Sequence, residues 1–498
     1  MLRRIFSLKV FIWTAIVFTA LVLIFIAVEN WRGSRAWENY RAAAEKRGVK
    51  LFLKDFIQPD IPDSENYAAV PLIRDLFAKT KDGENPPRPF GLPPGEKIPT
   101  APNDVKGHRF DLTGWQDFFL KTGLLTEKTD SAGSDILRAL GKYEPALQQL
   151  RDASSRPKCK FPTHWEDGPA TGLPHLTDMR APTVLFILRT HAHLHLGDSA
   201  AALGEFEQGT RLYEALASEL SLIAGLTRIS QLGMLETCVW DGLAGGQWGD
   251  AELAAIEKRF AALRIADDCR FAFATERGFG NAAGLDFVAH GLGKILDQMK
   301  PLEELGLASP PSRFERFVFG MGPRGWVHEM MVRYNKYFDW LLAHFDRPSG
   351  RDVGEFFPLV PPSKEWLESH PIPPGVSRVS ELILEQSLPA FDTAQRHYLY
   401  SHTRAQETRL GCTLERFRRA KGGFPEKLDE LVPAFIDAIP NDAFDGRPLR
   451  YRRNADGGYD LWSIGQDRKD DGGIMDPKKP GYDQNDWLWH MPGQAKVP

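Results

Sequence analysis

Six aspartates crowd the stretch after Tyr459-Asp460-Leu461-Trp462-Ser463: Asp467, Asp470, Asp471, Asp476, Asp483 and Asp486, with Gly465, Gly472 and Gly473 among them. Hard divalent cations take several oxygens from carboxylates and carbonyls, held by a loop that glycine allows to turn tightly. Residues 464–489 are therefore a candidate cation loop. The spacing is not that of an EF-hand. With Asp467 at position one, Asp471 and Gly472 fit positions five and six, but Lys469 occupies three and no glutamate stands at twelve. A solvated acidic loop is the plainer alternative.

A second cluster is His191, His193 and His195. On a helix only His191 and His195 share a face, and zinc needs at least one further ligand from elsewhere, such as His175 or His290. Two half-buried histidines in a helical hairpin are the simpler reading. Other chemistries fail on spacing. His328-Glu329-Met330-Met331-Val332 lacks the second histidine of a zincin helix. Ser155-Arg156-Pro157-Lys158 carries a proline against the helical turn that would bring Lys158 onto Ser155. Gly278, Gly280 and Gly284 miss the dinucleotide spacing and follow a helical rather than a strand pattern. The expectation is no catalytic residues.

The elements that must position these groups begin with an anchor. No charged residue occurs from Val10 to Val28, a run of roughly 28 Å as helix, close to the hydrocarbon thickness of a bilayer. A cleaved signal peptide has a shorter apolar core and a nearby small-x-small site, and Ser34-x-Ala36 lies beyond Glu29 and Arg32. Residues 1–30 thus read as an uncleaved transmembrane signal anchor. Arg3, Arg4 and Lys9 precede it, but Arg32, Arg35 and Arg41 follow, so basic residues barely decide its orientation. The short leading tail and long body favour a single pass through a bacterial inner (cytoplasmic) membrane with the body extracytoplasmic. Trp31, Trp37 and Tyr40 are expected at the headgroups, on a short charged helix of their own from Trp31 to Gly48.

Residues 31–390 read as an irregular helical bundle or α-solenoid-like body, mainly α. A helix follows Pro62, capped by Asp63 or Ser64, and a proline-rich strap covers 81–107. Further helices are expected over Val184 to Leu196, Ala200 to Leu216, Ala251 to Leu263 and Trp326 to Phe345, with Gly197-Asp198 and Gly249-Asp250 as junctions. The junction spacing does not match a tetratricopeptide array. Val376 to Ala420 is a long helical stretch that Pro389 should bend or split, and the prolines at Pro310-Pro311 and Pro373-Pro374 mark loops. Leu449 to Arg453 and Tyr459 to Ser463 form a hairpin signal.

Charge excludes one class of partner. Lys and Arg total 62 against 66 Asp and Glu, a formal net charge of −4, where nucleic-acid binding demands a basic surplus on one face. Cys159, Cys238, Cys269 and Cys412 form no C-x-x-C pair; two disulfides, with three possible connectivities, stand against four packed thiols.

One resemblance emerges. Phe424-Pro425 with Leu428 and Leu431, then Pro440-Asn441-Asp442-Ala443-Phe444-Asp445-Gly446-Arg447-Pro448-Leu449-Arg450-Tyr451, then Tyr459 through Asp467, is similar to the C-terminal domain of the type II secretion major pseudopilin (protein G). It implies that 391–498 is a small α+β module whose late loop binds calcium. The ligands it implies are the backbone carbonyl of Leu461 and the side chains of Asp467, Asp483 and Asp486. Arg468 stands where the family has glycine, and no glycine precedes Gly33, so the family's processing site is missing.

Together these observations lead to an expected membrane-anchored, non-catalytic binding or scaffolding protein. It would have an unidentified envelope protein partner and a calcium-stabilised terminal module. The alternatives are a metal-dependent hydrolase in the helical body and an accessory part of a type II secretion or pilus-like assembly.

Overall fold

The computed structural model describes residues 2–77, 90, 109–290, 322–346, 357–372, 378–476, 478–479 and 481–493. Except for Phe90, the expected strap at 81–107 lies outside these residues, as do the paired-proline loops at 310–311 and 373–374.

The chain opens with α1, Leu2–Lys46, a single helix of 45 residues. Among the described residues it is the one helix long and apolar enough to cross a membrane. Its side chains from Val10 to Val28 are exposed apart from the half-buried Ile26, with Phe11, Trp13 and Phe18 each about two-thirds accessible. The separate helix expected from Trp31 is instead the continuation of α1. No proline or cap interrupts the chain there, and the second half is held along α11 (Gly325–Phe345). Consequently Trp37 is buried and Tyr40 donates to Asp339 Oδ2 at 2.9 Å. Both rings face the protein rather than headgroups.

Past α1 the chain builds a first core. The helix expected after Pro62 is shorter than its apolar residues suggest. Asn66 caps a 3-10 turn, Tyr67–Ala69, and the α-helix that follows, α2, is only Pro71–Asp75. Tyr67, Val70 and Ile73 are nevertheless buried against α3 (Leu112–Lys121), α4 (Ala132–Leu140) and α5 (Glu144–Ala153). Asp111 and Ser131 accept from backbone N–H groups at the starts of α3 and α4, supplying partners the helix ends lack.

α6 (Pro174–His195) and α7 (Ser199–Ala215) form the predicted hairpin. Gly197 has φ 76, a left-handed turn that favours glycine, and Asp198 then accepts from Ala201 N. α6 starts ten residues earlier than its periodicity suggested, because Pro182 is accommodated inside it and buried. α8 (Leu222–Ala244), α9 (Asp250–Ala261) and α10 (Ile265–His290) follow, and a short α12 (Ser363–Ser369) precedes α13.

α13, Arg378–Lys421, is 44 residues long and runs through Pro389 without the expected interruption. An internal proline costs about 3 kcal/mol. Leu384, Leu388 and Phe391 around it are buried in the main core, where packing offsets that cost. The sheet then forms in order β1 (Arg450–Arg453), β2 (Tyr459–Ser463), β3 (Trp487–Met491), antiparallel throughout. β1 and β2 are the predicted hairpin. β3 was not anticipated: Trp487, Trp489 and Met491 point inward, but the apolar Leu488 between the two tryptophans blurs the alternation. One hydrophobic cluster extends from Ile187 on α6 through α8–α11 and α13 to Met491 on β3.

Candidate functional site

The aspartate loop hangs between β2 and β3, and Asp442 fixes its entrance. That buried carboxylate accepts from Phe444 N, Ser463 Oγ and Ile464 N, each at 2.9 Å, and from Arg450 Nη1 at 2.6 Å. Burial nonetheless pushes its pKa above the usual carboxylate range. The sequence placed Asp442 in the family-like segment but gave it no role.

Glycines shape the loop itself. Gly465 has φ 59, and a Cβ there would fall 1.7 Å from Asn485 O, so the two arms of the loop touch at this point. Arg468 has φ 57, making it the one non-glycine with positive φ among the described residues. Arginine here adopts the conformation that glycine provides freely, at a cost of roughly 1–3 kcal/mol.

The four residues implied as calcium ligands occupy different surroundings. Leu461 is fully buried in the central strand, opposite Tyr451 on one side and Trp489 on the other. Asp467 is exposed, and its Oδ1 accepts from Lys469 N at 3.1 Å. Asp483 Oδ1 accepts from Arg396 Nη1 at 2.9 Å, tying the loop to α13. Asp486 is buried; Oδ2 accepts from Gly473 N at 2.7 Å, while Oδ1 has no partner. Burial, followed by the charges of Asp470 and Asp471, pushes the Asp486 carboxyl up to about 6. Asp470 and Asp471 thus lie close enough to Asp486 to act on its charge. Asp470 accepts from Trp462 Nε1 at 2.9 Å and Asp471 from Asn485 Nδ2 at 3.1 Å.

The histidines disperse. His191 is buried, stacked on Phe110 with centroids 3.8 Å apart, its Nδ1 3.2 Å from Asp241 Oδ2. Arg109 Nε and Phe110 N donate to the other Asp241 oxygen at 2.5 and 3.0 Å. Hydrogen bonds from His191 and Arg109 hold the Asp241 carboxyl below its ordinary value, against the burial that opposes them. His195 is exposed, so sharing a helical face did not bring it to His191. His175 Nε2 lies 2.7 Å from Glu219 Oε2, between the rings of Phe77 and Phe161, and His290 Nδ1 lies 2.8 Å from Asp286 Oδ1. Each is thus served by a different carboxylate. Among the described residues, no three His, Cys, Asp or Glu side chains gather to hold a metal ion.

No family model, curated protein or solved structure matches this chain. Its chemistry must be read from its own residues. The four cysteines are free thiols; Cys238, Cys269 and Cys412 are buried, and burial raises the pKa of all four.

Proposed function

We propose that this chain is a membrane-anchored scaffold or binding protein of the bacterial envelope. It would cross the inner membrane once through α1 and hold an extracytoplasmic helical body for an envelope protein partner. The observation that carries the reading is the contrast within α1: large apolar side chains from Val10 to Val28 face outward, while the same helix continues along the body and buries one face there, at Gly33, Trp37 and Ala44. Exposing so many large apolar side chains to water is unfavourable by about 25 cal/mol per Å², and a bilayer removes that penalty.

The test is alkaline extraction of membranes from expressing cells, followed by protease treatment of spheroplasts. Retention in the membrane and digestion of the body from outside are expected. Release by alkali would overturn the anchor, and protection of the body would overturn its orientation.

The terminal module is read as pseudopilin-like, stabilised by calcium. Two features support the likeness: a long helix preceding a small antiparallel sheet, and the glycine-type backbone at Arg468. For calcium, Asp486 offers what a cation would satisfy, a buried carboxylate oxygen without a partner. By the likeness, the backbone carbonyl of Leu461 and the side chains of Asp467 and Asp483 would complete the ligand set. Calcium bound at Asp486 would supply positive charge to a carboxylate cluster that repels itself, and the binding energy would add to stability. A calcium-dependent rise in melting temperature that Asp486→Asn removes is the expected result. If Asp467→Ala melts like the wild type in excess calcium, Asp467 is not a ligand. An accessory place in a pilus-like assembly follows from the same likeness, and co-purification with pseudopilins tests it.

A further inference from the structure

The body meets α1 inside the apolar run rather than beyond it. Phe25 lies edge-on to Trp326, at the start of α11, with ring centroids 6.4 Å apart. Trp326 Nε1 donates to Glu29 Oε2 at 2.9 Å. One turn further along, the two backbones touch. A Cβ on Gly33 would fall 2.0 Å from Gly325 O, and Gly325 N donates to Asn30 Oδ1 at 2.9 Å. Arg32 closes the junction, reaching Glu29 Oε2 and Glu329 Oε1 at 2.8 Å each.

Laying residues 10–28 across a hydrocarbon core of ~30 Å puts the water-side edge of that core at Val28 and Glu29. Phe25 then lies about 6 Å inside the edge, at 1.5 Å per residue. Trp326 sits at the edge itself, with its ring toward Phe25 and its N–H toward Glu29. That is how an indole, apolar at one end and polar at the other, partitions into the headgroup zone. Trp31, 65% exposed with Arg35 over its ring, occupies the same level on α1. Arg324, which precedes α11, is exposed beside Trp326 and carries the charge that lipid phosphates attract.

We infer that the start of α11, Arg324 with Gly325 and Trp326, is a lipid-contact site that seats the body on the bilayer at the boundary of headgroups and acyl chains. The inference rests on α1 being the membrane span. The body would then not hang from the anchor but rest against the membrane through a second, non-contiguous segment.

The experiment places a photoreactive residue in the full chain reconstituted into phosphatidylcholine–phosphatidylglycerol vesicles. Trp326→p-benzoylphenylalanine and Arg324→p-benzoylphenylalanine report the proposed contact; the second sits at an exposed position that packs against nothing in the core. Phe18→p-benzoylphenylalanine reports the span, and Leu196→p-benzoylphenylalanine reports the exposed body. Lipid adducts at 18, and at 324 or 326, several-fold above those at 196, are expected. Adducts at 18 alone would overturn the seat and leave the anchor standing. Adducts at neither 18 nor the α11 positions would overturn both. Protein adducts in place of lipid at 324 and 326 would overturn the lipid contact and assign this surface to another chain.

Discussion

Two helices of almost equal length, α1 with 45 residues and α13 with 44, carry opposite surfaces. α1 presents aliphatic and aromatic side chains outward from Val10 to Val28. α13 buries Ser401, His402, Thr403, Arg404, Gln406, Glu407 and Thr408 in its middle. Each surface needs a solvent of its own kind. α1 must find its solvent outside the protein, whereas α13 is solvated by the protein. Arg404 Nη1 donates to Glu407 Oε2 at 3.2 Å and lies over the Trp489 ring; Arg409 donates to Glu257 on α9. Thr408 and Thr413 return their hydroxyls to backbone carbonyls of the preceding turn. The comparison teaches that hydropathy alone locates neither the inside nor the outside of this molecule; the partners do.

The comparison breaks most visibly at α13. Arg404→Ala leaves Glu407 buried without its guanidinium and is expected to destabilise the protein by roughly 3–5 kcal/mol, read from urea denaturation in detergent. A loss under 1 kcal/mol would mean that the stripe is not solvated by its ion pairs. On α1, Leu21→Arg places a charge on an exposed apolar surface at mid-span, with an expected insertion penalty of about 2.5–3.5 kcal/mol. The variant should pass from membrane to alkali-soluble fraction while the body's melting is unchanged; coupled unfolding would show that the anchor also stabilises the body.

Thr408→Val removes a hydroxyl bonded only to the turn before it, so about 1 kcal/mol is expected, measured in the same denaturation series. The smallest effect concerns β3, whose Leu488 carbonyl and Trp489 ring help to solvate Arg404. A hydrogen bond to the Asp460 carboxylate raises the pKa of the neighbouring His490. A raised histidine pKa stabilises the fold below its unfolded value of about 6.5, and that contribution is lost as pH rises through the folded value. The His490 contribution to melting temperature should therefore fall across this window, so the gap between wild type and Asp460→Asn should be widest at low pH and close as pH rises.

Much of this arrangement can be read from residues alone, and what cannot has physical causes. The apolar run at 10–28, the Gly197-Asp198 junction and the β1–β2 hairpin announce themselves by composition and spacing. The continuity of α1 into the body does not, because a helix that simply continues gives no signal. β3 hides behind consecutive large apolar residues, and the polar stripe of α13 reads as a solvated face until α8, α9 and the sheet cover it. In the candidate loop, aspartate content identified the region, but only folding decides that Asp470 and Asp471 lie near Asp486 while Asp483 turns to Arg396. Helical phase put His191 and His195 on one face; Phe110 and Asp241 then claim His191 alone.

The four free thiols have a consequence for redox chemistry. Three are sealed in the core, and burial holds all four in the protonated form, which is neither the nucleophile nor the leaving group in thiol–disulfide exchange. Once folded, the chain offers an oxidant or a disulfide no ready thiolate, in a reducing or an oxidising medium alike.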